Sequence, residues 1–278
     1  QITMTICQHL KKERFPWKKI VFSDVDGTLL DSSRKLLPST LKAITRLSQN
    51  GIPFVIISAR SPSGIYPIME EYKFKCPIIS YSGALVLDDW GKVIFTKGLS
   101  KALSNQIIDF IESSGFDLSW CIYALDQWIV TDRSDRRIQR EESIVRAVSS
   151  EGKVNTAHAD EINKILCICN PERILSIEKQ LCRAFPMCSI AKSSDILLEI
   201  MEKGINKETG VRTLCGKWGI PVENALPSAT TIMTWKCLRL LATAISWTTL
   251  RQSFCHGVHC ILTITITMAY ITLWMVWG

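Results

Sequence analysis

With 278 residues, 47% of them hydrophobic, the chain has room for a core domain and a second, smaller one, and its composition is ordinary for a soluble enzyme. Its 11 cysteines are odd in number and follow no repeating spacing, which argues against a disulfide framework and for reduced thiols in the cytoplasm. The formal net charge is +7, but the basic residues form no stripe with interleaved aromatics, so a nucleic-acid partner is not expected. The chain opens with Gln1, and residues 1–16, lacking clear periodicity, read as an extension outside the fold.

The first clear element is residues 19–23, an apolar run rich in β-branched and aromatic residues that reads as a buried strand. It ends in Asp24-Val25-Asp26-Gly27-Thr28. Two carboxylates two residues apart at a strand end, followed by a glycine that lets the chain turn, can hold one divalent cation. Oxygen ligands of this kind suit Mg²⁺, which keeps several waters and takes only one or two protein carboxylates plus a phosphate. A carboxylate beside such a metal can attack phosphorus, and a second can protonate the leaving oxygen. A D-x-D-G-T sequence after an apolar strand resembles motif I of the haloacid dehalogenase (HAD) superfamily of phosphatases.

A helix is predicted from Pro38-Ser39-Thr40 to a stop at Gly51, with Leu41, Ile44 and Leu47 on one side. Residues 53–58, PFVIIS, form a second buried strand ending in Ser58-Ala59-Arg60. If the two strands are parallel neighbours, the Ser58 hydroxyl stands beside the first strand end, where it suits a donor to a phosphate oxygen. The family's motif II is a Ser or Thr at this place. Residues 64–72 read as helical, and residues 77–81, PIISY, as a third strand leading to Ser82-Gly83-Ala84. Relatives in the family commonly read Asn-Gly-Ala there, so Ser82 is a departure that bears on substrate contacts.

From residue 85 the rhythm changes. Residues 85–87 and 92–95 flank Asp88-Asp89-Trp90-Gly91 as a hairpin. Helices are expected over 101–113, 137–148 and 172–185, with strands over 120–124, 127–131, 164–169 and 188–191. Hairpins mixed with helices describe an α+β module inserted into an α/β core. The arrangement resembles the C2-type cap of the Cof-like (type IIB) HAD phosphatases.

The core is expected to resume at 192, with a strand near 196–201, and then Glu202-Lys203-Gly204-Ile205-Asn206-Lys207. Cof-like proteins carry Leu-Glu-Ile, Lys-Gly and a final Lys at this spacing, and that Lys is motif III. Lys207 matches it better than Lys203 and would open a helix running to about residue 218, its ammonium against the nucleophile and the phosphate.

The expected fold is a Rossmann-like α/β core, residues 17–83 and 192–225, interrupted by a C2-type cap at 84–191. The resemblance implies Mg²⁺-dependent hydrolysis of a small phosphorylated metabolite. Asp24, Asp26, Ser58 and Lys207 are then catalytic, and Asp24 and Asp26 hold the metal. Gly27, Thr28, Ala59, Arg60, Ser82 and Gly83 lie at the substrate.

Motif IV, of the form Gly-Asp-x-x-x-Asp, should follow residue 224 and does not. Residues 224–278 contain no Asp or Glu, yet hold four Trp and several Thr-Ile repeats. When the last base of each codon is joined to the first two of the next, Met233-Thr234 forces Asp and Trp235-Lys236 forces Glu. Between residues 227 and 238 the displaced frame permits Phe-Gly-Asp-Asn-Tyr-Asn-Asp-Met-Glu-Met-Leu, which resembles motif IV closely. A single-base deletion near Ala225 or Leu226 therefore accounts for residues 226–278 as an aberrant tail. The apolar stretch 257–277 is long enough for a membrane span but is Thr-rich and lacks a flanking basic cluster, so no membrane association is expected. Cys255, His256, His259 and Cys260 crowd four possible ligands into six residues and make a poor zinc site.

Overall fold

The computed structural model describes residues 19–145 and 147–228. Of the tail that starts at residue 226, the described residues include 226–228; the rest of the motif IV replacement, the apolar stretch and the Cys/His cluster lie outside them. Four apolar runs, β1 (Ile20–Asp24), β2 (Phe54–Ile57), β3 (Ile78–Ser80) and β14 (Ala225–Ser228), pair in parallel, in the order β14-β1-β2-β3. Their runs are continuous rather than alternating because both faces of this sheet are covered. On one face Ile20, Phe22, Val55, Ile57 and Ile79 pack under Val211, Leu214, Cys215 and Trp218 of helix α6 (Lys207–Trp218). On the other, Ile56 and Ile78 share a cluster with Ile44 of α1 (Pro38–Gln49) and Met69 of α2 (Tyr66–Glu71). This is the α/β, Rossmann-like arrangement expected from the sequence.

The hairpin β4 (Leu85–Leu87) and β5 (Val93–Thr96) extends this same sheet, antiparallel to β3. The sequence reading had assigned it to the inserted module. The connection from β3 is the short 3-10 turn Tyr81–Gly83. A parallel return would need a crossover of a dozen or more residues, so the chain doubles back onto the same sheet edge.

The inserted module is built on a second six-stranded sheet, in the order β12 (Cys188–Lys192), β13 (Leu197–Glu202), β11 (Lys164–Cys169), β7 (Leu118–Ala124), β8 (Gln127–Val130) and β9 (Ser150–Glu151). Helices α3 (Lys101–Ser113) and α5 (Ile174–Ala184) cover one face through Ile107, Ile111, Ile177 and Leu181. The opposite face carries α4 (Arg136–Val145) and merges with the core cluster through Tyr123, Trp128 and Leu166. Strand β13 is a second correction: the sequence reading placed it in the core, yet it pairs antiparallel with both β11 and β12. Four residues separate it from β12, enough for a hairpin and too few to return to the parallel sheet.

The chain leaves the core through β6 (Leu99–Ser100), which pairs antiparallel with β10 (Glu161–Ile162) just before β11, and it returns between β13 and α6. Asn163 stitches this joint. Its amide donates to Thr96 Oγ1 at 2.9 Å and Lys97 O at 3.3 Å, while its Oδ1 accepts from Leu125 N–H at 2.7 Å.

Candidate active site

Strands β1, β2 and β3 end side by side, and their carboxyl ends deliver the predicted residues to one place. Asp24 closes β1 and is only 6% exposed. A carboxylate at that depth needs charged or hydrogen-bonding partners. Val25 N–H donates to its Oδ1 at 2.8 Å, and Lys207 Nζ lies 2.7 Å from its Oδ2. Gly27 turns the chain at φ +71°, and Leu29 and Leu30 N–H close the loop onto the Asp24 and Val25 carbonyls. Thr28 is half-buried in this loop.

Lys207 reaches Asp24 because α6 begins there. Asn206 caps the helix, accepting from Thr209 N–H at 2.9 Å, while Thr209 Oγ1 accepts from Asn206 N–H at 2.8 Å. This reciprocal pair satisfies two amides that a helix start otherwise leaves open. The helix is pressed against the β3–β4 turn by two glycines. A Cβ on Gly83 would collide with the Asn206 carbonyl, and one on Gly210 would lie 2.5 Å from Ile79 Cγ2. Gly83 also has φ +111°, a conformation that side chains resist.

Ser58 follows β2 and is 1% exposed. Its N–H donates to Ile79 O at 2.8 Å and its carbonyl accepts from Ser82 N–H at 2.9 Å, so the β2 and β3 loops are laced together. The Ser58 hydroxyl accepts from Arg60 N–H at 3.2 Å. Tyr81 and Ser82 both have positive φ, +48° and +52°. Asn tolerates this conformation better than Ser, a physical reason for the Asn that the family resemblance leads one to expect there.

Arg60, expected at the substrate, is paired with Asp26. Its Nε and Nη2 grip both Asp26 oxygens, at 3.0 and 2.5 Å, and Nη1 donates to Gly64 O at 3.3 Å. The flat guanidinium fork matches a carboxylate edge, and Asp26, being exposed, can swing to meet it. The structure thus gathers Asp24 with Lys207, Asp26 with Arg60, and Ser58 with Ser82. Sequence reasoning missed Asn206, Gly210, Tyr81 and Lys164. The Asn206-x-x-Thr209 spacing was a readable capping signal, whereas a lysine opening an apolar strand carries none.

The Asp24 and Asp26 carboxylates are hard oxygen donors, and among the described residues no group of three or more His, Cys, Asp or Glu is gathered. A donor set this small fits Mg²⁺, which retains water and draws further oxygen from a phosphate, and does not fit a closed zinc site. Burial pushes the Cys76 and Cys121 thiols up to about 12, so these cysteines sit in the core as neutral thiols.

Comparison with known proteins converges on one family. The haloacid dehalogenase-like hydrolase family matches residues 21–226. A predicted phosphatase of Haemophilus influenzae is 32% identical over 213 residues, covering 75% of this chain and 78% of that protein. A haloacid dehalogenase-like hydrolase from Bacteroides thetaiotaomicron superposes with a TM-score of 0.71 at 20% identity, over 80% of this chain and 85% of that one. A HAD subclass IIB sugar phosphatase superposes with a TM-score of 0.62 at 18% identity, over 75% and 79%. With its motifs on the carboxyl ends of a parallel sheet and three-quarters of its length matched, the chain belongs to the haloacid dehalogenase-like hydrolases.

Proposed function

We propose that this chain is a phosphatase that hydrolyses a small phosphomonoester through a phosphoryl group held briefly on Asp24. The observation that carries this reading is the buried Asp24 carboxylate at the end of β1, with the Lys207 ammonium 2.7 Å from one oxygen. An Asp24 oxygen attacks phosphorus, and the ester P–O bond breaks. Asp26 gives a proton to the departing oxygen, then takes one from the water that attacks the phosphoaspartate and frees phosphate. Ser58 and Lys207 hold phosphoryl oxygens as charge builds on them. To act as acid, Asp26 must first leave the Arg60 fork, which the exposure of its side chain allows.

HAD phosphatases in general use a divalent metal ion, and we propose Mg²⁺ here, which Asp24 and Asp26 would hold. When bound, it would offset negative charge on the phosphoryl group. For the substrate we propose a sugar phosphate or a cofactor-related phosphate, in keeping with the fold shared with a subclass IIB sugar phosphatase. Gly27, Thr28, Ala59, Ser82 and Gly83 supply the walls of the phosphate end. We place the core at the first sheet with α1, α2 and α6 and the cap at the second sheet, in a protein of the reduced cytoplasm.

A second reading is favoured by one observation, the absence of motif IV from the sequence: as written, the chain is catalytically impaired. Hydrolysis of p-nitrophenyl phosphate with Mg²⁺ tests both. Turnover by the frame-restored chain that is lost in Asp24→Asn supports the first reading, and turnover unchanged by that substitution overturns it. Equal turnover by the written and restored chains overturns the second.

A further inference from the structure

Among the described residues two cap side chains reach the loop after β2: Asp126 accepts from Ser63 N–H at 2.7 Å, and Lys164 meets the Ala59 carbonyl. Lys164 opens β11 and is 6% exposed, a depth at which a lysine needs partners for its charge. Its ammonium donates to Glu199 Oε1 on β13 at 3.2 Å. A second donation crosses from the cap sheet to the core and reaches the Ala59 carbonyl at 3.0 Å. The rings of Tyr81, from the core, and Tyr123, from the cap, lie 5.6 and 5.2 Å from Nζ, close enough to favour a cation there.

The Ala59 carbonyl and the Arg60 N–H are the two ends of one planar peptide. Lys164 grips the carbonyl end, and the N–H end donates to Ser58 Oγ at 3.2 Å. With Oγ occupied as acceptor, the hydroxyl proton is the part of Ser58 left to offer a ligand oxygen. We infer that Lys164 is a positioning residue for Ser58, holding the Ala59–Arg60 peptide so that the serine hydroxyl is aimed only while the cap sheet is seated on the core. The inference rests on the reading of Ser58 as a holder of phosphoryl oxygen.

A bland role for Lys164, balancing the charge of Glu199, makes different predictions. Amide hydrogen exchange followed by NMR on the full chain separates them. Lys164→Met speeds exchange of the Arg60 amide by about tenfold or more, while the Ser58 amide, bonded to Ile79 O, stays protected. Glu199→Gln leaves the ammonium on Ala59 and the Arg60 amide as in wild type. Unchanged Arg60 exchange in Lys164→Met overturns the inference. So does Arg60 exchange that Glu199→Gln accelerates as much as Lys164→Met does, and this arm still decides if Lys164→Met loosens Ser58 as well.

Titration with inorganic phosphate adds a second readout. Lys164→Met weakens binding by about tenfold, and adding Ser58→Ala to it costs little more, because the hydroxyl has already lost its aim. Full additivity of the two substitutions overturns the inference. Phosphate binding untouched by Ser58→Ala alone overturns the reading of Ser58 and leaves Lys164 to be judged by Arg60 exchange.

Discussion

In the proposed mechanism Asp24 attacks phosphorus from a buried position, and the groups around it replace the water it has lost. The Val25 amide and the Lys207 ammonium take the place of solvent on its two oxygens. Removing the ammonium leaves a buried charge short of its counter-ion as well as a phosphoryl group short of a donor. Lys207→Ala in the frame-restored chain is therefore expected to cut kcat by about 10²–10³, measured with p-nitrophenyl phosphate. Glu141, buried on α4, shows the opposite balance. Burial pushes its carboxyl above the usual glutamate value, and Lys164 and Arg140 offset this only in part. With a folded-state pKa above the unfolded one, the folded protein binds the proton more tightly, so stability falls as pH rises from about 4.5 through the raised value. Glu141→Gln should accordingly raise Tm at pH 7, and the gain should fade as pH is lowered through that window. Ser82, at φ +52°, gives a third case. Ser82→Asn relieves backbone strain of about 1 kcal/mol and should raise the denaturation midpoint with the m-value unchanged.

Among the elements, α6 shows how local rules combine to place one atom. The capping pair Asn206 and Thr209 fixes where the helix starts, and the contact of Gly83 with Asn206 and Gly210 fixes how near it comes to the sheet. Gly83→Ala meets both a forbidding φ and a collision with the Asn206 carbonyl. The strain alone costs about 1–3 kcal/mol, and relief by withdrawing the helix carries Lys207 away from Asp24. The expected outcome is a lower Tm together with a loss of turnover in the frame-restored chain. Asn206→Ala, which removes only the cap, should cost about 1 kcal/mol and a smaller share of activity. Helix α6 was legible because the motif lysine marked its start, and the structure ends it at Gly219, in the left-handed conformation that glycine suits. Its approach to the turn was not, since a glycine in a sequence does not say which backbone it lets in.

For the whole molecule, the open question is how the parallel sheet ends. Strand β14 pairs with β1 over Ala225–Ser228, at the point where acidic residues vanish from the sequence and the family match stops at residue 226. In the proposed reading, the carboxylates of motif IV would follow this strand and join Asp24 at the metal. Restoring the frame after residue 226 is therefore expected to raise Mg²⁺-dependent turnover well above that of the written chain, with the two assayed side by side. What the sequence determined by itself were the long helices, the longer strands and the order of three motifs, because periodicity and turn chemistry are local; the short strands β6, β9 and β10 and the closing strand β14 went unread. Asp24, Ser58 and Lys207 could be named because the motifs that hold them resemble, in order, those of the haloacid dehalogenase family. Only the tertiary structure decided which sheet each strand joined, moving the hairpin of residues 85–96 into the core and the strand Leu197–Glu202 into the cap. It alone paired Asp26 with Arg60 and carried Lys164 across to Ala59, over 105 residues of chain. An apolar run records that it is buried, not against what, and a buried charge takes its partner from whichever element the topology brings within reach.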